Sequence, residues 1–374
     1  MRNTKKSRPA CRQAGLYDPF LDTLGGGELH VLSILQVLSS CGYEPYIFWD
    51  KNLSREIKQK FSLTFINKTR WVPNMFGSKS SLLKKHDELK NFDVFIYVTD
   101  GSYFFSSAKK NFIFCMVPDN KLYQMNLLNR FKTLNYQFIA NSRFTGNWLN
   151  HWGIKNEILY PYIDDVFFTD NRIRKEKLIL SVGRFFSHLH SKQHEIIIRV
   201  FEKFLKSKKD FESYTLILAG GLKKEDKDYF QKLQKMVKNN PNIELKPNVS
   251  YKDLVSLYQK AEIFWHFTGF GVNEKEHPEM VEHFGIAPLQ AMASRCITFC
   301  YNAGGPKEFM RDGENGFLFN DEKELLRKME LGIKNKELRN KIIHNAKAFV
   351  KKHFSYEVFE ENVKNIFSLK KYHA

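Results

Sequence analysis

The feature that most constrains this chain is an alternation of short apolar runs with longer segments of helical spacing. The short runs, rich in β-branched and aromatic residues, lie at residues 93–98, 111–117, 137–142, 177–183, 214–221, 261–267 and 296–302. Apolar residues three and four positions apart follow the runs, as at Ile196, Val200 and Phe204; this spacing is typical of a helix. Strands that alternate with helices build parallel sheets covered by helices.

The length of the chain indicates two domains. A chain of 374 residues exceeds what one hydrophobic core normally organises. The aperiodic run at residues 160–177, YPYIDDVFFTDNRIRKEK, contains a proline and paired acids, and it separates the two sets of strands. We therefore predict an α/β fold with two doubly wound Rossmann-like domains, residues 1–168 and 169–350, and a C-terminal segment, residues 351–374. The least apolar candidate strand is the first, within RPACRQAGLY at residues 8–17.

Composition narrows the choice of partners. The 59 basic and 41 acidic residues give a net charge of +18, which favours anionic partners such as nucleotides, nucleic acids or acidic lipid headgroups. The five cysteines lack CxxC spacing, as expected for reduced thiols in the cytosol. No apolar run approaches the roughly 18 residues of a membrane span, and no secretory signal is visible. We expect a soluble cytoplasmic protein, with peripheral contact at the inner face of a membrane as an open alternative.

The segment EMVEHFGIAPLQAMA, residues 279–293, predicts an anion site at the start of a helix. Its proline is tolerated only within a first helical turn, so we predict a helix over residues 286–293. The amides of Phe284, Gly285 and Ile286 would then have no partner within the helix. Unpaired amides at the positive end of a helix dipole suit a phosphate group.

Two polar side chains flank this predicted turn. Glu282 precedes the amides and is placed to accept hydrogen bonds from sugar hydroxyls beyond a phosphate. Gln290 lies four residues after Ile286, on the same face of the helix. The alternative is an ordinary capped helix with a glutamate near its N-terminus.

Two cations follow the first strand of the second half. In SVGRFFSHLHSKQ, Arg184 comes directly after the strand and Gly183, and Lys192 lies at the start of the next helix. Residues at the carboxyl edge of a parallel sheet face the crevice where such sheets bind ligands. A guanidinium fork and an ammonium point charge together suit two phosphates. The alternative is that both are ordinary surface residues.

Two glycine-rich turns allow close approach of the backbone to another group. Gly25, Gly26 and Gly27 lead into an apolar helix, and Gly304 and Gly305 follow the strand at 296–302. Neither turn has the GxGxxG spacing of a dinucleotide fold or the Lys-Ser/Thr ending of a P-loop. A plain tight turn is the alternative at both places.

Asp100 and a cluster of metal-type ligands complete the candidate residues. Asp100 ends the run VFIYVTD, residues 94–100, and could orient or deprotonate a hydroxyl, or it could cap the next turn. The side chains of HPEMVEH, residues 277–283, resemble metal ligands, but the proline interrupts any helix and no HExxH pattern is present. We predict no metal site.

Taken together, the motifs resemble a known family. EHFGIAPLQ, GRFF followed by Lys192, LGGGE, NAGGPKE and DGENGFLF resemble the GT-B retaining glycosyltransferases of family 4, in family order and over Leu16 to Phe354. HPEMVEHFGI, VTDGS and ANSRFT look most like the bacterial members of surface-polysaccharide assembly. The resemblance implies two Rossmann-like domains facing a central cleft, a nucleotide-sugar held mainly by the C-terminal domain, and a final helix packed on the N-terminal domain.

The resemblance also implies roles for the candidate residues of the second domain. Glu282 matches the first acid of the family's E-x7-E motif, near the transferred sugar. The amides of residues 284–286 would approach the sugar and the diphosphate. Arg184 and Lys192 match the diphosphate-binding pair.

Three further positions are compared with the family in the same way. Gly26 and Gly27 match the loop that closes over the donor. Gln290 stands where the motif has its second glutamate, assigned to the ribose hydroxyls, and one weakened bond there would lower donor affinity by about 1 kcal/mol. The histidine that related enzymes often have after the fourth strand is missing, so Asp100 is the acceptor-side candidate.

The expected function is therefore retaining transfer of a hexose, with mannose from GDP-mannose as the example, to a lipid-linked or saccharide acceptor. The leaving phosphate would take the acceptor proton, and neither a metal nor a cofactor is required. A segment at residues 121–138, KLYQMNLLNRFKTLNYQF, is a candidate basic amphipathic contact with an anionic membrane; the alternative is a helix packed on its own domain.

Two other functions stay open. A catalytically silent donor-binding homologue is one, for which Gln290 is the evidence. A nucleic-acid-binding protein is the other, favoured by the charge but without an RNP, zinc-finger or helix-turn-helix signature.

Overall fold

The fold is an alternation of parallel strands and helices. The computed structural model describes residues 11–61, 63–76, 81–168, 173–188, 190–207 and 211–369. The strands are β1 (Arg12–Tyr17), β2 (Tyr43–Phe48), β3 (Arg70–Val72), β4 (Val94–Val98), β5 (Lys110–Cys115), β6 (Tyr136–Ala140), β7 (Asn156–Ile158), β8 (Glu176–Val182), β9 (Thr215–Gly220), β10 (Ile243–Pro247), β11 (Ala261–His266), β12 (Ile297–Tyr301) and β13 (Phe317–Phe319). Every one of the seven predicted apolar runs is a strand within two residues of its predicted bounds.

Helices connect the strands and also form the end of the chain. They are α1 (Gly26–Ser40), α2 (Ser54–Lys60), α3 (Leu82–Leu89), α4 (Leu127–Lys132), α5 (Arg143–His151), α6 (His194–Ser207), α7 (Lys227–Val237), α8 (Tyr251–Lys260), α9 (Ile286–Ala293), α10 (Pro306–Phe309), α11 (Glu322–Lys334), α12 (Lys336–Phe354) and α13 (Tyr356–Ile366). None of the helices in the described ranges combines the length and the apolar character that a bilayer span requires.

The strands form two sheets in which every pairing is parallel. The first has the order β3-β2-β1-β4-β5-β6-β7 and the second β10-β9-β8-β11-β12-β13. In each sheet the order reverses once, between β1 and β4 and between β8 and β11. Ligands of such sheets bind in the crevice at the carboxyl ends of these strands. The predicted α/β class with two doubly wound Rossmann-like sheets is confirmed.

Strand β1 is central although its sequence is only weakly apolar. It pairs with β2 on one side and β4 on the other. A Cβ at Gly15 would lie 3.0 Å from the ring of Phe92 and 3.1 Å from that of Phe48. The small residues of β1 therefore leave room for aromatic side chains from neighbouring elements. Those rings supply the apolar packing that the small side chains of β1 do not provide.

The chain divides into two compact units. In the described residues, the first unit consists of 11–141, 148–159 and 360–369, and the second of 142–147 and 160–359. This division differs from the predicted boundaries at 168 and 350. Ile163, Phe167 and Phe354 are buried in one hydrophobic core of the second unit, so the run at 160–168 is packed there rather than acting as a linker.

Candidate functional site

The N-terminus of α9 is built as the sequence predicts. The helix spans Ile286–Ala293, and its N-cap, Gly285, has a φ of 111°. This left-handed conformation is one that side-chain-bearing residues rarely adopt. The amides of Phe284, Gly285 and Ile286 donate to no acceptor among the described residues. Three free donors thus lie at the positive end of the helix dipole.

The turn before α9 is held in place by the glycines of NAGGPKEF. A Cβ at Gly304 would lie 2.1 Å from the carbonyl oxygen of Glu282, and one at Gly305 would lie 2.4 Å from the Cα of Phe284. The amide of Gly305 also donates to the Glu282 carbonyl, at 2.7 Å. Gly304 and Gly305 therefore position the turn that carries Glu282. The sequence had indicated only that the backbone could approach another group closely at these glycines.

The carboxylate of Glu282 is the centre of a buried polar cluster. Its Oε2 lies 2.7 Å from Nζ of Lys192 and 2.8 Å from Nε2 of His266. The lysine contact is a hydrogen bond, whereas the imidazole N–H is poorly aligned with the carboxylate. Only 15% of the Glu282 side chain is exposed. The second oxygen, Oε1, makes no ion pair or hydrogen bond with the described residues.

Lys192 and His266 keep Glu282 ionised. Burial is the largest single influence and acts to raise the pKa of Glu282, but the Lys192 charge and the His266 imidazole together hold that pKa well below its usual range. Burial lowers the pKa of His266 despite the nearby carboxylate. The cluster is therefore a carboxylate, an ammonium and a neutral imidazole, and Glu282 is an acceptor of hydrogen bonds rather than a source of protons.

The position of Lys192 depends on Gly183. A Cβ at Gly183 would lie 2.3 Å from Cγ of Lys192 and 2.8 Å from its Cδ. The aliphatic part of the lysine therefore crosses directly over the glycine that ends β8 and reaches the carboxylate beyond it. The structure places Lys192 over Gly183 and pairs its ammonium with Glu282; the predicted diphosphate role of Lys192 with Arg184 stays a prediction.

Arg184 lies beside this cluster at the carboxyl end of β8. Its guanidinium carbon is 4.7 Å from the centre of the Phe186 ring, a cation–π arrangement. Its Cγ would lie 3.6 Å from a Cβ at Gly221, after the neighbouring strand β9. No carboxylate in the described part of the chain forms an ion pair with it. The guanidinium is thus oriented but retains its capacity for an anion.

His266 was missed in the sequence. It is the last residue of β11, the strand next to β8 at the reversal of strand order. The rule that singled out Arg184, a polar residue at the carboxyl end of a strand, applies equally to His266. Two more histidines, the half-buried His190 and the buried His283, have ring centres 4.9 Å apart, and desolvation lowers the pKa of both.

Gln290 and Glu308 differ in their hydrogen bonding. The side chain of Gln290 is half-buried and makes no hydrogen bond with other described residues. Glu308, of NAGGPKEF, accepts hydrogen bonds from the amides of Arg143 and Phe144, at 3.0 and 2.5 Å, and from the Tyr160 hydroxyl, at 2.7 Å. Glu308 is therefore a structural cap that the sequence analysis did not identify.

In the first unit, Asp100 caps the turn that follows β4. Its Oδ1 accepts from the Tyr97 hydroxyl at 2.5 Å, from the Ser102 amide at 3.0 Å and from the Ser102 hydroxyl at 2.5 Å. Capping, one of the two roles that the sequence left open, is thus observed. Oδ2 of Asp100 makes no hydrogen bond with the described residues, so a role toward a hydroxyl remains a prediction.

The glycines of LGGGE begin α1. Gly25 is its N-cap and Gly26 its first residue, and the amide of Gly25 donates to Oε2 of Glu28 at 2.5 Å. A Cβ at Gly27 would lie 2.4 Å from Sδ of Met116. A larger residue at Gly27 would therefore have to displace the end of the Met116 side chain. Closure of this turn over a donor stays a prediction.

A second buried carboxyl, Asp18, lies directly after β1 and was also missed. Its Oδ1 accepts from the amide of Phe20 at 2.9 Å, and its Oδ2 is buried without a hydrogen-bond partner. Burial, and then the negative charge of Glu28, raise the pKa of Asp18 to about 8. Asp18 is therefore protonated over much of the neutral range.

The metal-like cluster at residues 277–283 is arranged differently from a metal site. Nδ1 of His277 lies 3.4 Å from Oε1 of Glu279, and Glu282 is paired with Lys192 and His266. Across the ranges that the structure describes, no group of three or more His, Cys, Asp or Glu side chains is placed to hold a metal ion.

Comparison with solved structures identifies the fold. A glycosyltransferase from Rickettsia africae superposes with a TM-score of 0.72 at 16% identity, over 97% of this chain and 100% of that one. Anabaena Alr3699/HepE in complex with UDP and glucose gives 0.71 at 16% identity, over 96% and 99%. WaaG, a glycosyltransferase involved in lipopolysaccharide biosynthesis, gives 0.64 at 14% identity, over 94% and 99%. The two Rossmann-like domains are those of the GT-B fold class.

Comparison with known sequences covers part of the chain. A mouse GDP-Man:Man(3)GlcNAc(2)-PP-Dol alpha-1,2-mannosyltransferase is 30% identical over 183 residues, which are 45% of this chain and 34% of the relative. The human alpha-1,3/1,6-mannosyltransferase ALG2 is 28% identical over 60% of this chain and 56% of its own length. The chain thus spans about a third to a half of these relatives. Residues 164–349, which hold Glu282, Lys192 and Arg184, match the family of glycosyl transferases group 1.

Proposed function

We propose that this protein is a glycosyltransferase that moves a hexose from a nucleotide-diphosphate sugar to a lipid-linked or saccharide acceptor, with retention of configuration. The observation that carries the proposal is in the second unit. Free amides at the start of α9, the guanidinium of Arg184 and the Lys192–Glu282 pair occur together in the segment that matches the glycosyltransferase family.

The positive groups suit the departing nucleoside diphosphate. An ammonium has three donors, and Lys192 uses one of them on Glu282, so it can also bind a phosphate oxygen. Arg184 offers a bidentate fork, and the amides of residues 284–286 add neutral donors. Fixed donors that face developing negative charge are a major source of catalysis. We propose that these protein groups, without a metal ion, stabilise the leaving group.

Glu282 would bind the transferred sugar. Its Oε2 is occupied by Lys192 and His266, whereas Oε1 is free to accept from a sugar hydroxyl. Because Lys192 and His266 hold its pKa low, Glu282 does not supply a proton. In the retaining scheme the leaving phosphate takes the acceptor proton, so no protein acid is needed at this position. Asp100 is the proposed acceptor-side group, through its free Oδ2.

GDP-mannose is the proposed donor, and mannose is the sugar transferred. The curated relatives with 28 to 30% identity are mannosyltransferases, and the mouse relative carries GDP-Man in its name. The structural neighbour from Anabaena was solved with UDP, so the preference of this protein for one nucleotide base is the quantity to determine by experiment. Thermal denaturation with GDP, UDP, ADP and dTDP at millimolar concentration tests this directly.

We expect one nucleotide to raise the melting temperature selectively. A ligand at 100 times its Kd stabilises by about 2.7 kcal/mol, which corresponds to a shift of a few degrees. Arg184→Gln should abolish the shift, and Arg295→Gln, also on the second unit, is the matched control. If no nucleotide shifts the transition while RNA shifts it strongly, with an affinity that falls steeply with salt, the protein is a nucleic-acid-binding protein instead.

Gln290 supports a second candidate, a homologue that binds donor without turnover. An amide has one acceptor where a carboxylate has two, and the Gln290 side chain makes no hydrogen bond within the described residues. In a working site, Gln290→Glu should raise donor affinity or kcat by about tenfold, the equivalent of one charge-assisted bond. Sugar transfer absent from both forms, beside intact nucleotide binding, would establish the silent homologue.

A further inference from the structure

Large exposed apolar side chains are concentrated in one place on the first unit. Among the described residues there are nine, of which four lie between residues 127 and 134 and a fifth, Phe105, contacts them. The rings of Phe105 and Phe131 have centres 5.4 Å apart. The α4 patch is defined here as Phe105, Leu127, Leu128, Phe131 and Leu134.

The side chains of this patch do not contribute to a core. Leu127 is 88% exposed, Leu134 76% and Phe131 60%, and α4 contains no buried residue. The predicted alternative, a helix packed by its apolar face on its own domain, is therefore wrong for α4. Single exposed apolar residues are common, but a contiguous group of them marks a binding surface.

Local hydrogen bonds stabilise α4 and its two ends. The side chain of Asn126 caps the helix by accepting from the amide of Asn129 at 2.9 Å. Asn129 donates from Nδ2 to the carbonyl of Gln124 at 2.7 Å, and Arg130 donates from Nε to that of Met125 at 2.9 Å. The Thr133 hydroxyl donates to the Asn129 carbonyl at 2.8 Å. The helix is thus fixed while its leucines and Phe131 stay in solvent.

The chain just before α4 is anchored in the first unit. Tyr123 is buried, donates to the carbonyl of Val117 at 2.9 Å and stacks on Trp152 at 5.6 Å. The hydroxyl of Tyr103 donates to the carbonyl of Leu122 at 2.6 Å. The α4 patch is therefore presented on a rigid base.

The chain segment that carries α4 has mainly positive charges. Within residues 119–138 the cations are Lys121, Arg130 and Lys132, and the acid is Asp119. The carboxylate of Asp119 accepts from the amide of Lys121 at 2.9 Å and so caps its own turn. Lys121 and Arg130 are exposed. The chain as a whole carries +18.

We infer that the α4 patch binds the surface of an anionic lipid bilayer. Leucine and phenylalanine side chains enter the boundary between headgroups and acyl chains, and adjacent lysine and arginine side chains attract acidic headgroups. A protein partner would need a hydrophobic groove bordered by negative charges. Any anionic bilayer has an apolar interior beneath a negatively charged surface, so it matches the patch without a specific shape. Lipid binding here requires no donor nucleotide, so its test is independent of the proposed sugar transfer.

Vesicle co-sedimentation of the full chain tests this assignment. Vesicles of equal parts phosphatidylcholine and phosphatidylglycerol should bind the protein, and vesicles of phosphatidylcholine alone should bind it much less. Leu127→Ser with Phe131→Ser should weaken binding by at least about tenfold, because most of the inserted apolar area is lost. Leu83→Ser is the matched control: Leu83 is 77% exposed on the same unit, and its removal should leave binding unchanged.

A second double variant tests the contribution of positive charge to vesicle binding. Lys121→Gln with Lys132→Gln should weaken binding by about tenfold and flatten its salt dependence. Equal binding to neutral and anionic vesicles, or equal losses in the double serine variant and Leu83→Ser, would overturn the inference. So would a protein that ignores vesicles but forms dimers that the double serine variant abolishes, since the patch would then bind a second copy. Unchanged melting temperatures confirm that the variants are folded.

Discussion

At the residue scale, His266 shows that a neutral side chain can determine the state of a charged one. Its Nε2 lies 2.8 Å from Oε2 of Glu282, and burial lowers its own pKa. The imidazole therefore places a polar nitrogen beside the carboxylate without adding a second full charge. We treat it as a positioning residue for Glu282, since its Nε2 lies beside the carboxylate.

His266→Phe should lower kcat/KM by about tenfold, because the buried carboxylate loses one of the two polar side chains that hold its pKa low. His266→Gln, whose amide can donate from a similar position, should recover part of this loss. Steady-state kinetics of both variants, with melting temperatures measured in parallel, check the prediction. An equal loss in both would mean that the ring matters only for packing.

A second prediction concerns Asp18 and pH. Its pKa is about 8 in the folded state, against 3.8 for an ordinary aspartate. The folded state therefore holds the proton more tightly, and the stability this group contributes is full at low pH and is lost as pH rises through about 8. Asp18→Asn keeps the Oδ1 acceptor for Phe20 but has no charge to bury.

The Asp18→Asn variant should accordingly be more stable than the natural protein at pH 8 to 9, and the difference should shrink toward about pH 5. Thermal denaturation across this range measures it. Asp22→Asn is the control, because Asp22 is exposed nearby and its substitution should change stability little at any pH. A parallel pH dependence in Asp18→Asn and the natural protein would contradict the assigned pKa.

At the element scale, the glycines after β12 position the start of α9. Gly304 has a φ of 64°, and a Cβ there would meet the Glu282 carbonyl; Gly313 has a φ of 74° with nothing within 4 Å. Gly313→Ala should therefore destabilise by about 1 kcal/mol from backbone conformation alone. Gly304→Ala has the same conformational penalty and must also displace the turn.

Gly304→Ala should consequently lower both the free energy of unfolding and the affinity for the selected nucleotide, whereas Gly313→Ala should lower only the first. Denaturant titration and nucleotide titration of the two variants separate these effects. Equal nucleotide affinity in both would show that the Glu282 turn does not depend on Gly304.

The element scale is also where sequence patterns were informative. The seven apolar runs became strands because each is long enough and apolar enough to be buried in the middle of a sheet. The pattern did not predict β3, β7 and β13, which have three residues each, because so short a strand leaves no periodic signal. Strand β2 contains a proline, which also argues against a strand.

At the scale of the whole molecule, the end of the chain belongs to the fold of its beginning. Phe367 is buried in the first unit, its ring centre is 4.1 Å from that of Phe112, and its carbonyl accepts from Nζ of Lys110 at 2.7 Å. The resemblance implied such packing for a segment that starts at 351. The structure assigns residues 360–369 to the first unit.

Phe367→Ala should destabilise the protein by about 3 to 5 kcal/mol, as expected for a large core side chain replaced by a small one. Phe131→Ala is the matched control on the same unit, since Phe131 is mostly exposed, and it should change stability by less than about 1 kcal/mol. Chemical denaturation distinguishes the two. Equal effects would mean that residue 367 is not part of that core.

By itself, the sequence determined the fold class and the backbone amides of the candidate site. Local patterns of apolar residues specify parallel strands and helices, and a glycine followed by a helix with an early proline specifies the amides at residues 284–286. These features depend on neighbours along the chain, so they can be read from it.

The tertiary structure alone decided which side chains meet. His266 and Lys192 are 16 and 90 residues from Glu282 along the chain, and their contacts arise because parallel strands end at the same edge of a sheet. Packing between distant segments likewise buries Asp18 and so raises its pKa, places Lys192 and His266 where they keep Glu282 ionised, and leaves Leu127 in solvent. A sequence carries the residue types, but desolvation and pairing, which set their charge and function, exist only once the chain is folded.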